Sequence, residues 1–509
     1  MNGNKVPAEI YREFRYPADV YAGVSLVKKN LFPTYSYLSM DDGSVKRKFI
    51  LLTTSMAAFL SPFLSSAIAF AVPKIGVSFH LTFYQVAILP MIFLIPLASF
   101  MIFFGRLSDD IGRVKIFRAG LLIFAASALL VPAIHNYQYV VMMIFFTGLG
   151  SAVLSTNSTA IVSYVYSSGG RGFALGINAM AVYLGLTFAP FLGGLLIELS
   201  GWESIFFLSG PLAICALLIS IPSMKSLEIK AKTEKTNLRQ VSMFSTFLVL
   251  LTTYAAFGDI FGYLKLAFLP ILSLFFLLIF LHYEKNSTNP VIPPSVFRNN
   301  RTFIASNVTA FLNYVSTFSI VFVFSIYLQV ILHVNPFLSG IIILPEPVLM
   351  VLLSPVSGKL ADRFGSRLIA SSGMVIIGVS FLLLFLESTV SRLDITALLG
   401  FIGVGFGLFS APNTNSVMGS VRREDSSIAS GFLGTMRFTG QMMSIVAATL
   451  ILSLFLPASL ITGMFSGTVV TITPFFYGSF VSGFRIVMLV SAILAIIGAM
   501  TSLMKSRGK

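Results

Sequence analysis

The chain has 509 residues, 56% of them hydrophobic and 10% charged, with a mean hydropathy of +0.90. A soluble domain carries roughly 25% charged residues, so this composition excludes a water-soluble globular chain and points to a protein of the membrane. The formal charge of +15 would suit a nucleic-acid partner, but the placement of that charge along the chain excludes one.

Residues 1–48 are polar with mixed charge, and no apolar segment with a cleavage site begins the chain. The expectation is an N-terminal segment on the cytoplasmic side, with no cleaved signal and the first span acting as its own insertion signal. The Tyr-, Arg- and Pro-containing stretch 11–38 gives no motif and is read as lying on the membrane surface. Apolar runs long enough to cross a bilayer then follow at 49–72, 84–104, 115–134, 138–163, 173–197 and 204–223. A basic linker, 224–241, leads to runs at 242–258 and 262–282. Six more complete a set of fourteen: 302–331, 338–357, 368–386, 395–417, 427–456 and 484–504. The uncharged stretch 457–484 reads as an external hairpin dipping into the membrane.

With the N-terminus in the cytoplasm, 29 of the 34 Lys and Arg fall on the cytoplasmic side and four, Lys74, Lys265, Arg392 and Arg485, on the other. That asymmetry places both termini, including the tail 505–509, in the cytoplasm. The basic excess therefore serves topology and contact with membrane lipids, not nucleic acid. The single cysteine, Cys215, cannot form an internal disulfide and reads as a small packing residue.

Two loops share one pattern. GRLSDDIGR supplies Gly105, Asp109, Gly112 and Arg113, and GKLADRFGSR supplies Gly358, Asp362 and Gly365. Glycines permit a tight turn between helices, and each Asp can face a helix N-terminus or a basic group. The repeat extends further. Gly148 and Gly150 recur as Gly403 and Gly405, 255 positions on, and Gly176 and Gly185 recur as Gly431 and Gly440. The loop glycines Gly105 and Gly358 are offset by 253. An offset near 255 leaves room for two extra spans between halves, so the architecture is six plus two plus six. The halves run 49–223 and 284–504, and 224–283 holds the linker and inserted pair.

A loop of this kind, once per half in a very hydrophobic chain, resembles the major facilitator superfamily of secondary transporters. The fourteen-span plan is similar to its larger drug:proton antiporter branch. GLTFAPFLGG, with Gly185, Pro190, Gly193 and Gly194, is similar to the antiporter motif of the fifth span, with Ala189 where Gly is usual. Trp202, Ile205, Phe206 and Pro211, the segment NPVIPPSVFRNNRTF and the segment YLQVILHVNPFLSGIIILP fit the same branch. The resemblance implies an all-α integral membrane protein of the major facilitator fold. It also implies a multidrug efflux antiporter of the cell membrane, with a small-molecule substrate and protons as its partners. Two parts of the usual proton relay are missing. The first-span acid position falls on Leu64, before the Ala71-Val72-Pro73 ending, and the fourth-span Arg position falls on Ile144.

Glu346, between Pro345 and Pro347, is the only acidic residue placed deep within a span. An ionised carboxylate there is costly unless it faces water or a partner. It reads either as a proton carrier or as a carboxyl hydrogen-bonded to backbone freed by the prolines. Arg437 must face an aqueous cavity or a carboxylate; gate latch, anion contact, partner of Glu346 and structural tie all remain open. Asn157, Asn307, Asn313, Asn413 and Asn415 line a pathway or bond helix to helix. The four His are scattered, with no metal cluster, nucleophile elbow or phosphate-binding loop, so neither an enzyme, a cofactor nor a metal site is expected. The competing readings are a metabolite or sugar carrier running as a uniporter or symporter, and a non-transporting receptor or scaffold.

Overall fold

The structure, a computed structural model, describes residues 40–166, 171–225, 227, 237–285, 287, 290–291, 294–387, 391–422, 426–456 and 474–505. Among them are fourteen helices long and apolar enough to cross a membrane. The first half contains α1 (Val45–Phe79), α2 (Phe83–Ile111), α3 (Arg113–Ala133), α4 (Tyr137–Val165), α5 (Phe173–Ser200) and α6 (Ser204–Ser223). The inserted pair is α7 (Leu238–Gly258) and α8 (Phe268–Lys285). The second half contains α9 (Arg301–Ile331), α10 (Pro336–Phe364), α11 (Ser366–Leu386), α12 (Arg392–Gly419), α13 (Ile428–Phe455) and α14 (Tyr477–Leu503).

Three predicted boundaries are corrected. Helix α1 runs through Pro73 to Phe79 instead of ending at 72. The inserted pair turns at Gly262, whose φ of 89° breaks the helix, and the second of the pair begins only at Phe268. Residues 474–484, expected in an external hairpin, belong to the final helix; 457–473 lie outside the described residues, as do 1–39 with the surface-lying stretch 11–38. Lys505, at the start of the expected cytoplasmic tail, is buried. Cys215, expected as a packing residue, is exposed.

The repeat read from the glycines is a repeat of helix contacts. At Gly148 of α4 the missing Cβ makes room for the backbone of Phe93 on α2, and at Gly403 of α12 for the backbone of Glu346 on α10. Gly150 lies on Phe124 of α3, and Gly405 lies on Gly373 of α11. Gly185 packs on Phe59 and Pro62 of α1, whereas Gly440 packs on Phe311 and Tyr314 of α9. Each pair of helices thus approaches backbone to backbone at equivalent points of the two halves. That is how close packing is reached in an apolar solvent that offers no hydrophobic drive between helices.

The two short loops are one-residue turns. Gly112, with φ of 118°, joins α2 to α3, and Gly365, with φ of 86°, joins α10 to α11. Both turns lie at the end of the bundle that carries most of the basic residues among those described, here the basic end. The inserted pair is not peripheral to the core. Val241, Phe244 and Leu248 of α7 and Phe280 of α8 pack with Ile102 of α2, and Phe432 of α13 closes the cluster. Arg106 Nη2 donates to Pro290 O and Val291 O, at 3.4 and 2.5 Å, which anchors the chain just after α8.

Candidate functional site

Both halves contribute to a cavity of about 50 Å³. Helix α10 is broken at Leu344, where the pair Pro345 and Pro347 withdraws two backbone N–H groups from the ladder. Glu346 sits in this break, in the first turn of the inner segment Pro345–Phe364. It is ten residues from the start of α10, roughly 15 Å along the axis, and so near the middle of a 30 Å hydrocarbon layer. Glu346 lines the cavity.

The remaining walls come from four helices of the second half and two of the first. Tyr314, Phe318 and Phe406 supply aromatic faces, while Thr317 and Gln441 add polar groups. Ser66 of α1 and Leu186 with Pro190 of α5 complete it from the other half. Gln441 is buried, and its Oε1 has no hydrogen-bond partner. No Lys or Arg lines the cavity. Its chemistry is therefore that of a carboxyl, hydroxyls and an amide, without a cation, set in aromatic and aliphatic walls. Pockets for drug-sized ligands span roughly 300–1,000 Å³, so the halves must separate before an organic molecule of that size is held.

The other residues singled out in the sequence divide clearly. Arg437 is not paired with Glu346: its Nη2 donates to Thr414 Oγ1 at 2.7 Å, and its guanidinium lies 6.0 Å from the Tyr314 ring centroid. It stands behind an aromatic wall of the cavity. Asn157 is buried on α4 and donates to Val153 O at 3.0 Å, within its own helix. Asn313 contacts Met374 Sδ at 3.2 Å on α11. Asn413 donates to Ser306 O at 3.1 Å and accepts from Lys505 Nζ at 2.9 Å. Asn307 Nδ2 donates to Phe303 O at 2.9 Å, one turn back. Asn415 is exposed. None of these five amides lines the cavity. Leu64 and Ile144, at the positions of the missing relay residues, are fully buried in the core.

At the basic end, Asp109 Oδ1 and Arg113 Nη2 form an ion pair at 2.5 Å across the Gly112 turn. Asp362, the repeat counterpart, is exposed. Gly358 has open space around its Cα. On α5, the antiporter-like glycines do two different jobs. Gly185 meets α1, whereas Gly194 meets the backbone of Pro336 on α10. Gly340 of α10 in turn lies on the backbone of Pro190. Tyr183 Oη and Ser410 Oγ, 2.5 Å apart, and Thr187 Oγ1 donating to Pro347 O at 3.2 Å, also tie the halves together.

Sequence reasoning found Glu346 because a lone acid in an apolar run stands out. It missed Tyr314, Gln441 and Ser66, which nothing in a long apolar run marks. The one available signal was position: Tyr314 touches Gly440, a repeat glycine already singled out.

Comparison with known proteins agrees with this geometry. The family model described as Major Facilitator Superfamily matches residues 54–445. The riboflavin transporter RibZ of Clostridioides difficile is 26% identical over 397 residues, covering 77% of this chain and 86% of that protein. The multidrug transporter protein MdtP of Bacillus subtilis is 24% identical over 405 residues, covering 76% and 72%. Among solved structures, a bacterial homologue of the human lysosomal transporter Spinster, inward-facing and unoccupied, superposes with a TM-score of 0.65 at 15% identity. That match covers 90% of this chain and 96% of the other. A fourteen-span all-α fold in two repeated halves, a cavity walled by both, and a family match across most of the chain lead to one assignment: this chain belongs to the Major Facilitator Superfamily of membrane transporters.

Proposed function

We propose that the protein exports hydrophobic or amphipathic organic compounds across the cell membrane in exchange for protons, by alternating access. The observation that carries this reading is Glu346, a carboxyl at mid-span on the wall of a cavity built by both halves. A coupling proton has to reach its carrier from each side in turn, and a group between two rocking halves meets that condition. The cavity has no cation to hold Glu346 permanently ionised, and its aromatic walls suit an apolar solute. The antiporter-like segment Gly185–Gly194 supports export over import, and MdtP, described as a multidrug transporter, supports organic compounds as the cargo. The 29 basic residues of one face support an orientation with the basic end and both termini in the cytoplasm.

A second reading, a metabolite or vitamin carrier without proton coupling, is favoured by one pair of residues. Leu64 and Ile144 replace ionisable relay positions with buried apolar side chains, and RibZ is described as a riboflavin transporter. One measurement separates the two. In sealed proteoliposomes with an imposed pH gradient, Glu346→Gln abolishes uphill accumulation of substrate while passive exchange continues. Parental protein that gives no uphill accumulation on the pH gradient leaves the uncoupled carrier, whereas uphill transport that survives in Glu346→Gln removes Glu346 as the coupling site.

A further inference from the structure

The two halves meet at the end opposite the basic turns along a seam between α1 and α9, and that seam has an unusual basis. Pro73 lies inside α1 and carries no N–H, so the carbonyl one turn back, that of Ala69, loses its helical donor. Ala69 is fully buried, where an unpaired carbonyl is costly. The donor comes from the other half: Ser325 Oγ of α9 lies 3.2 Å from Ala69 O. One turn further along α9, Gln329 Nε2 donates to Phe70 O at 3.3 Å.

We propose that Ser325 and Gln329 are a latch that holds this end closed, and that the proline-freed carbonyl of Ala69 is its socket. Opening is built into the same groups. The Ser325 hydroxyl shares its single proton between Ala69 O and Phe322 O, the latter 2.8 Å away in its own helix, so it keeps an acceptor when the halves part. Gln329 sits in a π-helical turn, Tyr327–Ile331, and its Oε1 is buried without a partner in the closed seam. Water entering on opening satisfies that oxygen and the socket carbonyl together. The closed seam therefore contains two bonds that favour closure and one unmet acceptor that favours opening. That balance suits an element that alternates.

The latch rests on the orientation proposed above only in naming this end external. Its test uses cells expressing the full chain with Cys215→Ser and a reporter cysteine at Leu186, on the cavity wall, labelled with a membrane-impermeant maleimide. Lys265→Cys, in the exposed turn between α7 and α8, reports orientation separately. If it is not labelled from outside, the same rates are read on inverted vesicles. Ser325→Ala should speed reporter labelling several-fold, and Ser325→Thr should restore the parental rate. Pro73→Ala returns an N–H to Ala69 O, so adding Ser325→Ala in that background should change nothing further. Hydrogen exchange of amides 70–76 supplies a second readout without the reporter, with faster exchange expected in Ser325→Ala only when Pro73 is present. An unchanged rate in Ser325→Ala, or the same factor with and without Pro73, overturns the latch.

Discussion

Gly403 of α12 lies directly against the main chain of Glu346, with the Glu346 carbonyl occupying the space a Cβ would fill. The position of the cavity carboxyl is therefore set by a glycine on a neighbouring helix. Gly148 and Phe93 make the same contact in the first half, where no acid is present.

Gly403→Ala should displace the break in α10 and move Glu346 off the cavity wall. Overpacking of a close helix contact costs about 1–3 kcal/mol, and transport should fall more than tenfold while the protein still reaches the membrane. Gly176→Ala, where a Cβ meets nothing within 4 Å, is the matched control and should leave transport intact. Parental transport in Gly403→Ala would remove the positioning role.

Asp109→Asn should leave Arg113, a residue only 6% exposed, without its carboxylate at the Gly112 turn. Loss of a hydrogen bond to a charged group costs about 2 kcal/mol, so turnover should drop roughly tenfold or more, given that 1.4 kcal/mol is one decade. Asp362→Asn should have a smaller effect, because Asp362 is exposed. Initial rates in proteoliposomes at matched protein density decide it, and equal losses in the two variants would refute the asymmetry.

Lys505 should make stability depend on pH in the alkaline range. Burial pushes its ammonium from the usual 10.5 down to about 7. Between those values the unfolded chain binds a proton that the folded chain does not, so stability rises with pH across that window and does not change through this group below it. Thermal unfolding in detergent at pH 7 to 10 should show that rise, and Lys505→Met should flatten it. A parallel pH course in the two proteins would contradict the assignment.

The fold was legible because its determinants are coarse: apolar runs of bilayer length, basic loops on one face, and glycines at a constant offset. The offset could be read because Gly148 and Gly403 face equivalent backbones, which tolerate no side chain. The cavity was legible only where chemistry stood out against hydrocarbon. Glu346 was such a point. Asn157, Asn313 and Asn413 also stood out, yet each is spent on contacts within or between packed helices, since polarity in a span says nothing of the direction it faces. Tyr314 and Gln441 reach the cavity through the azimuth of α9 and α13, which packing sets and spacing does not. The Ala71-Val72-Pro73 ending reads as a terminator, whereas the helix passes through Pro73 to Phe79 and a serine from the other half meets the carbonyl it exposes.

The inserted hairpin breaks the symmetry of the repeat in a mechanical sense. The halves touch along two lateral flanks. On the flank of α5 and α10, Gly194 and Gly340 bring bare backbones together. On the flank of α2 and α13, α7 and α8 cover the contact with Phe244, Leu248 and Phe280. The contact between the halves is thus a side-chain cushion on one flank and, on the other, bare backbone tied by Tyr183–Ser410 and Thr187–Pro347. The interface between the halves is therefore lopsided, cushioned by the inserted hairpin on one flank and not on the other.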